Sequence, residues 1–165
     1  MTAPVADQRS RTVRWSDPLE SAERLAGLSG LDAMQALVDG TVAPPPIAVL
    51  LGFRLAEVEE GRALFTGEAD EFHYNPIGAV HGGLAATLLD SAMGCAVHTT
   101  LRTGEAYTTA ELKVNLVRAI GRGMALRCEG TVLYKGRRQA TAEGRLLEAV
   151  TGKLLAHGTT TCLVI

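Results

Sequence analysis

The sequence has 165 residues, of which 47% are hydrophobic and 21% charged, so it has room for one domain with its own core. Its net charge of −2 excludes a general attraction to nucleic acid or anionic membranes, and an aromatic content of 4% disfavours platforms that stack single-stranded nucleic acid. No apolar run reaches the ~18 residues of a membrane span, and no secretory leader is recognisable. We therefore expect a cytoplasmic protein whose three cysteines, Cys95, Cys128 and Cys162, are reduced thiols.

The N-terminal region predicts a tail and short helices. Residues 1–15 are polar and mixed, and we expect them to be disordered or loosely held. Ser16-Asp17-Pro18 is a typical helix start, because a Ser or Asp cap is followed by a proline in the first turn. Helices are predicted at 18–26, 31–39 and 47–51. We divide the chain into an N-terminal region, 1–44, in which nothing suggests chemistry, and a domain at 45–165.

After Gly52 the pattern changes to strands. Apolar and polar residues alternate over 53–59 and 62–69, which predicts a hairpin. A loop then leads into a long helix from His81 to about Arg102. Four further strands are predicted at 107–117, 124–134, 139–149 and 153–164. This order predicts an α+β fold, an antiparallel sheet around one dominant helix.

The long helix has two different faces. About half of its circumference is apolar: Leu84, Ala85, Leu88, Leu89, Ala92, Met93 and Ala96. The opposite side is small and polar but carries little charge: Thr87, Asp90, Ser91, Gly94 and His98. A face open to water usually carries more Lys and Glu, so we predict that this side meets another subunit or a ligand.

The segment from Asn75 to Asp90 carries the clearest functional pattern. An amide side chain precedes Pro76 in a turn, and His81-Gly82-Gly83 opens the helix, where uncovered backbone N–H groups attract negative charge. Asp90 follows His81 by nine residues. A bare backbone donor, a placed amide and a carboxylate predict hydrolysis of a thioester without a Ser or Cys nucleophile.

These residues resemble the PaaI-like acyl-CoA thioesterases of the hotdog fold. Supporting matches are Thr108–Asn115, the hairpin Lys135–Arg138 and the final segment Thr151–Ala156, so the resemblance covers roughly residues 45–165. It implies a sheet wrapped around the helix, subunits that pair edge to edge, and active sites at the dimer interface. It further implies an acyl-CoA substrate, a homodimer that assembles into a homotetramer, and no cofactor, since coenzyme A is part of the substrate.

The resemblance also assigns catalytic roles. Asp90 is expected to act as general base on a water or as nucleophile on the thioester carbonyl, and the two roles stay open. Gly82 is the expected oxyanion donor through its backbone N–H. Asn75 is expected to hold the attacking water or the substrate carbonyl, and His81 to brace the loop or touch the substrate.

Four further residues are expected to bind substrate. Gly83 completes the tight turn, and Lys135 and Arg137, with Arg138, form a basic hairpin that suits the phosphates of coenzyme A. Thr109 is expected on the strand that faces the carboxylate of a neighbouring subunit, with Thr108 as the alternative if the register shifts by one. No pair among the remaining histidines has metal spacing, so no metal is predicted.

Two alternatives remain: a non-catalytic acyl-CoA or fatty-acid binding protein, and a hotdog hydratase or dehydratase. The spacing of His81 and Asp90 favours the thioesterase arrangement over the second. Asp90 lies about 13 Å along the helix from His81 and half a turn around it, at 1.5 Å and 100° per residue. We therefore expect two half-sites, with Asn75 and Gly82 from one subunit meeting Asp90 and Thr109 of its partner.

Overall fold

The computed structural model describes residues 8–165, whose elements follow the predicted order. Three short helices come first: α1 (Pro18–Leu25), α2 (Gly30–Val38) and α3 (Pro46–Leu51). They are followed by β1 (Phe53–Glu59), β2 (Arg62–Glu68), α4 (Gly82–His98), β3 (Tyr107–Leu116), β4 (Ala125–Lys135), β5 (Gln139–Glu148) and β6 (Leu154–Val164). The predicted α+β fold, an antiparallel sheet around one long helix, is confirmed.

The six strands form one sheet in the order β1-β2-β4-β5-β6-β3, and every pair is antiparallel. The two edges are therefore β1 and β3. Along β3, the six residues from Thr108 to Lys113 are all exposed. Apart from its pairing with β6, this strand has no hydrogen-bonded neighbour in the described part of the chain.

The helix α4 forms the centre of the core. Its predicted apolar face is buried throughout: Leu84, Ala85, Leu88, Leu89, Ala92, Met93 and Ala96. The sheet approaches this helix closely at Gly130, where an added Cβ would fall 2.6 Å from the backbone nitrogen of Met93. Of the opposite face, Thr87, Asp90, Ser91 and His98 are half-buried, so this side is neither core nor free surface.

The helix ends earlier than its sequence predicts. The periodicity extends to about Arg102, but the helix ends at His98. The hydroxyl of Thr99 donates to the carbonyl of Ala96 at 2.6 Å and accepts from the backbone N–H of Gly61 at 2.8 Å. The end of α4 is thus fixed by the β1–β2 turn, a contact that helical periodicity does not reveal.

The segment before α1 is docked on the domain. The expectation of a loosely held tail is wrong for Arg11, whose guanidinium donates to the carbonyls of Leu50 at 2.7 Å and Val49 at 3.3 Å. The same group lies 3.8 Å from the ring centre of Phe72. Residues 1–7 of the predicted tail lie outside the described residues. Within residues 8–165, no helix is both long and apolar enough to cross a membrane.

Candidate active site

The loop before α4 is shaped by the side chain of Asn75. Its amide oxygen accepts from the backbone N–H groups of Ile77 at 3.1 Å and Ala79 at 3.2 Å. The backbone N–H of Asn75 donates to the carbonyl of Ala79 at 2.8 Å. For its amide nitrogen Nδ2 we find no acceptor among residues 8–165, so the side chain holds the turn with its oxygen and retains two donor hydrogens.

The buried residue His73 ties this loop to the rest of the domain. Its Nδ1 accepts from the N–H of Asp70 at 3.0 Å, so Nε2 carries the proton and donates to the carbonyl of Leu51 at 2.9 Å. Its backbone carbonyl accepts from the N–H of His81 at 2.8 Å. The start of α4 is therefore held through His73 to the end of α3.

The first turn of α4 leaves one backbone donor uncovered. The ring of His81 caps the helix, since its Nδ1 accepts from the N–H of Gly83 at 2.8 Å. The preceding N–H, that of Gly82, has no acceptor within the described chain and faces a pocket of about 330 Å³, here called the loop pocket. Asn75, Leu116 and Arg118 also line this pocket.

Only glycine fits at position 82 without rearrangement. An added Cβ would lie 2.6 Å from Cδ1 of Leu116, which closes one side of the loop pocket. The N–H of Gly82 is thus exposed to a ligand at the positive end of a 17-residue helix, which is a favourable position for a developing negative charge.

Asp90 lies elsewhere on the same helix. Its Oδ1 accepts a hydrogen bond from the hydroxyl of Thr109 at 3.1 Å, within one chain. This contact corrects the expectation that Thr109 faces the carboxylate of a neighbouring subunit, and it is made by Thr109, not Thr108. The carboxylate is half-buried and Thr109 is exposed, so the pair lies at the surface beside the open edge of β3.

A layer of aromatic side chains supports this pair from one side. The ring of Tyr107 lies against Gly94, where an added Cβ would fall 3.2 Å from its Cε2 atom. The ring of His98 packs edge-on against Tyr107 at 5.9 Å between centres. Burial raises the pKa of the Tyr107 phenol and lowers that of His98, so both groups are neutral near pH 7.

One chain does not bring all predicted residues together. Asn75, His81 and Gly82 lie at the start of α4, whereas Asp90 and Thr109 form a second cluster. Asp90 follows Gly82 by eight residues, a rise of about 12 Å at 1.5 Å per residue. We call the first group the loop half and the second the strand half.

Comparison with known proteins identifies the family. Residues 77–153 match the thioesterase superfamily. Acyl-coenzyme A thioesterase 13 of Homo sapiens is 30% identical over 110 residues, which make up 67% of this chain and 78% of that protein. The chain belongs to the thioesterase superfamily. It is a thioester hydrolase with the hotdog fold that its sequence predicts.

Solved structures of similar proteins agree with this family assignment. A phenylacetic acid degradation-related protein from Ralstonia eutropha is 28% identical, with a TM-score of 0.71 over 79% of this chain and 98% of its own. A variant of the phenylacetic acid degradation protein PaaI from Thermus thermophilus is 27% identical, with a TM-score of 0.66 over 72% and 98%. The match covers nearly the full length of both of these proteins, whereas part of the present chain has no counterpart in either.

One cation of the basic hairpin is already paired within the chain. The ammonium of Lys135 pairs with the carboxylate of Glu105 at 3.0 Å. A hydrogen bond from the backbone of Arg102, and then this ammonium, lower the pKa of Glu105. Lys135 therefore ties the hairpin to the loop before β3, while Arg137 is exposed and available to a ligand.

Arg118 is a cation beside this site that the sequence pattern does not reveal. It lines the loop pocket with Asn75 and Gly82, and its guanidinium donates to the carbonyl of Leu154 at 2.7 Å. It lies two residues beyond the end of β3, where no local pattern distinguishes it from a solvated arginine. Only the fold brings this part of the chain to the start of α4.

Proposed function

We propose that the protein hydrolyses acyl-CoA thioesters to a carboxylic acid and coenzyme A at sites shared between two copies of the chain. Each site would take Asp90 and Thr109 from one copy and Asn75 and Gly82 from the other. The observation that carries this proposal is the separation of the two halves within one chain, with the carboxylate and the backbone donor about 12 Å apart along α4. The similarity to acyl-coenzyme A thioesterase 13 supports the substrate class.

The open edge of β3 supports pairing between the copies. An exposed strand with unpaired backbone groups is a template for another strand. If two copies of β3 pair antiparallel around a two-fold axis at Leu112, Thr108 of one copy lies opposite Leu116 of the other, so Thr109 lies next to that Leu116. Within each chain Thr109 contacts Asp90 and Leu116 lies against Gly82, so this register joins complementary halves.

The chemistry follows from these contacts. The thioester oxygen accepts from the N–H of Gly82, and the helix terminus stabilises the negative charge that develops there. Asp90, oriented by the hydroxyl of Thr109, takes a proton from water as its oxygen bonds to the carbonyl carbon. The C–S bond then breaks, and coenzyme A leaves as a thiolate that is protonated by solvent.

A second route uses the same contacts. Asp90 attacks the carbonyl carbon itself, coenzyme A leaves, and water cleaves the resulting anhydride. A single turnover in ¹⁸O-labelled water separates the two routes. In the direct route the label enters the product acid, whereas in the anhydride route attack on the Asp90 carbonyl leaves it in the enzyme. The homotetramer, the cytoplasmic location and the absence of a cofactor stay predictions from the resemblance.

Mixing two inactive variants tests the shared site. Asp90→Asn removes the strand half, and Gly82→Val covers the donor of the loop half. After unfolding and refolding together, a heterodimer has one site with both halves intact and one with neither. Random pairing makes half of the dimers heterodimers, so the mixture should recover about a quarter of the wild-type activity per total protein.

The result depends on where the two halves meet. If the site lies within one chain, the mixture stays as inactive as each variant alone, and the shared site is wrong. Refolded wild type provides the reference, and native mass spectrometry of the refolded mixture measures the yield of mixed dimers. Each variant should keep its dimer by sedimentation, so that lost activity is not lost assembly.

A further inference from the structure

The segment before α1 contacts the part of the chain that anchors the loop half. We call residues 9–14 the strap. Its side chains reach two places, the last turn of α3 and the single helical turn Glu71–His73 that precedes Asn75. These are the two elements that His73 joins, since its ring donates to the carbonyl of Leu51. The strap therefore lies where it can affect the start of α4.

The end of α3 has three consecutive carbonyls that accept hydrogen bonds from side chains. The last carbonyls of a helix have no partner inside the helix. The guanidinium of Arg11 donates to those of Val49 at 3.3 Å and Leu50 at 2.7 Å, and Nε2 of His73 donates to the next, that of Leu51, at 2.9 Å. A cation is also favourable at this negative end of a helix. Arg11 and His73 thus complete the same helix end.

Arg11 is connected to His73 by a second route, through the ring of Phe72. The guanidinium carbon of Arg11 lies 3.8 Å from the centre of that ring, and the rings of Phe72 and His73 lie 4.1 Å apart between centres. A guanidinium over an aromatic face is attracted by the ring and packs flat against it. The three groups therefore form one stack, which runs from the exposed Arg11 to the buried His73.

Ion pairs hold the same helical turn from two sides. Arg9 of the strap pairs with the carboxylate of Glu71. Arg122, from the loop after β3, pairs with Glu71 and with Asp70, each at 3.2 Å. Ion pairs at the surface contribute little individually, because water screens them and long side chains lose freedom. We therefore assign the main effect of the strap to Arg11, which combines two hydrogen bonds with the stack.

We propose that Arg11 is a positioning residue for the backbone donor of Gly82. This inference rests on the proposed function. Arg11 holds Phe72 and the end of α3, and His73 contacts both. The carbonyl of His73 accepts from the N–H of His81 at 2.8 Å, directly before Gly82. A displacement of about 1 Å can lower a rate about 10²-fold, so a support of this kind affects the chemistry without touching the substrate.

Removal of the guanidinium should lower kcat more than it changes KM. For Arg11→Ala we expect kcat to fall about tenfold, less than the loss of about 10² to 10³ when an oxyanion donor is removed outright. Arg14→Ala is the matched control. Arg14 is exposed on the same strap, and we find no hydrogen bond or ion pair of its side chain within residues 8–165, so this variant should keep the wild-type kcat. Both are assayed well below their unfolding temperatures, so that lost kcat is not unfolded protein.

Amide hydrogen exchange measures the position of the loop half without turnover. The N–H of His81 is protected by its bond to the carbonyl of His73. In Arg11→Ala we expect this N–H to exchange about tenfold faster, because the loop opens locally more often. The N–H of Ala92, in the buried middle of α4, should exchange as in wild type. A general loss of stability would speed the exchange of both.

A double variant tests the route through Phe72. If Arg11 acts through the ring, Arg11→Ala combined with Phe72→Leu should lose less kcat than the product of the two single losses. Losses that multiply, a wild-type kcat in Arg11→Ala, or unchanged exchange of the His81 N–H each overturn the inference. If wild type hydrolyses no acyl-CoA, the proposed function fails, and the exchange of His81 still decides whether Arg11 holds the start of α4.

Discussion

The two halves of the active site are built in different ways. The loop half is held within the chain: Asn75 and His81 each accept backbone hydrogen bonds, and His73 anchors the loop to the end of α3. The strand half is held by one side-chain hydrogen bond, between Thr109 and Asp90, beside an unpaired edge.

This difference indicates what each half requires for function. Preorganised backbone donors need no further partner to keep their geometry. A carboxylate and a hydroxyl at an open edge obtain a water-excluding environment only when another strand covers β3. Changes in the loop half should therefore leave assembly intact, whereas changes near β3 should act through assembly as well.

The largest effect is expected for the strand half itself. Asp90→Asn keeps the shape and the hydrogen bond from Thr109 but removes the basic carboxylate. Loss of a general base typically lowers kcat by about 10² to 10⁴. Steady-state hydrolysis of an acyl-CoA series measures this loss, with thermal unfolding as the control for fold. If Asp90→Asn keeps most of the wild-type kcat, Asp90 takes no part in the chemistry, and only the loop half contributes to it.

A smaller loss should follow from a change at the edge of β3. Leu112 is 37% exposed, and Leu112→Lys places like charges close together across the proposed two-fold axis. We expect a dimer that dissociates on dilution, with specific activity falling at least tenfold at nanomolar protein and recovering at higher concentration. Sedimentation and activity are measured over the same concentration range.

The control for this change is Leu163→Lys. Leu163 is 44% exposed but lies on β6, which has neighbours on both sides. The same substitution there should leave the dependence on concentration unchanged. If activity depends on protein concentration in the same way in both variants, the loss is a general effect of added charge. The strand half would then not depend on pairing of β3.

The sequence predicts those parts of the molecule that local pattern determines. The apolar face of α4, the order of helices and strands along the chain and the Asn75–Gly82 turn all follow from residues close together in the chain. The hotdog topology itself follows from the resemblance, because periodicity alone does not specify which strands become the edges.

Contacts between distant residues account for the errors. The end of α4 depends on Gly61, 38 residues from Thr99, and the pairing of Lys135 with Glu105 spans 30 residues. Arg11 finds Leu50 across 39 residues, and Arg118 reaches the loop pocket only through the fold. Each is a polar side chain whose partner is chosen by tertiary structure, which no local window contains.

An intermediate effect should separate structure from chemistry in the loop half. Asn75→Asp keeps the acceptor that holds Ile77 and Ala79, but loses the two donor hydrogens. We expect kcat to fall about tenfold with little change in unfolding temperature, since one polar contact with the reacting group is typically worth about 1.5 kcal/mol. Asn75→Ala loses the acceptor as well and should also destabilise the fold. Equal kcat in wild type and Asn75→Asp would limit Asn75 to its turn.

The smallest effect concerns pH and the support of the strand half. Burial lowers the pKa of His98, which packs against Tyr107. His98 therefore binds a proton less readily in the folded protein than in the unfolded chain, where the pKa of histidine is about 6.5. Above about pH 6.5 His98 is neutral in both the folded and the unfolded state, so its burial does not lower the free energy of unfolding. As pH falls through about 6.5 toward the folded pKa, the unfolded state gains protons first, so the free energy of unfolding falls.

Replacing the ring isolates this contribution. His98→Gln cannot titrate, so its free energy of unfolding should decline less than that of wild type between about pH 6.5 and pH 5, as measured by urea denaturation. Other titrating groups, such as Asp70, whose pKa is lowered by a hydrogen bond from the N–H of Glu71, act equally in both proteins and cancel in the difference. Parallel curves would contradict the proposed linkage. A wild-type decline that is steeper, with kcat falling over the same range, would connect the neutral His98 ring to the packing that supports Asp90 and Thr109.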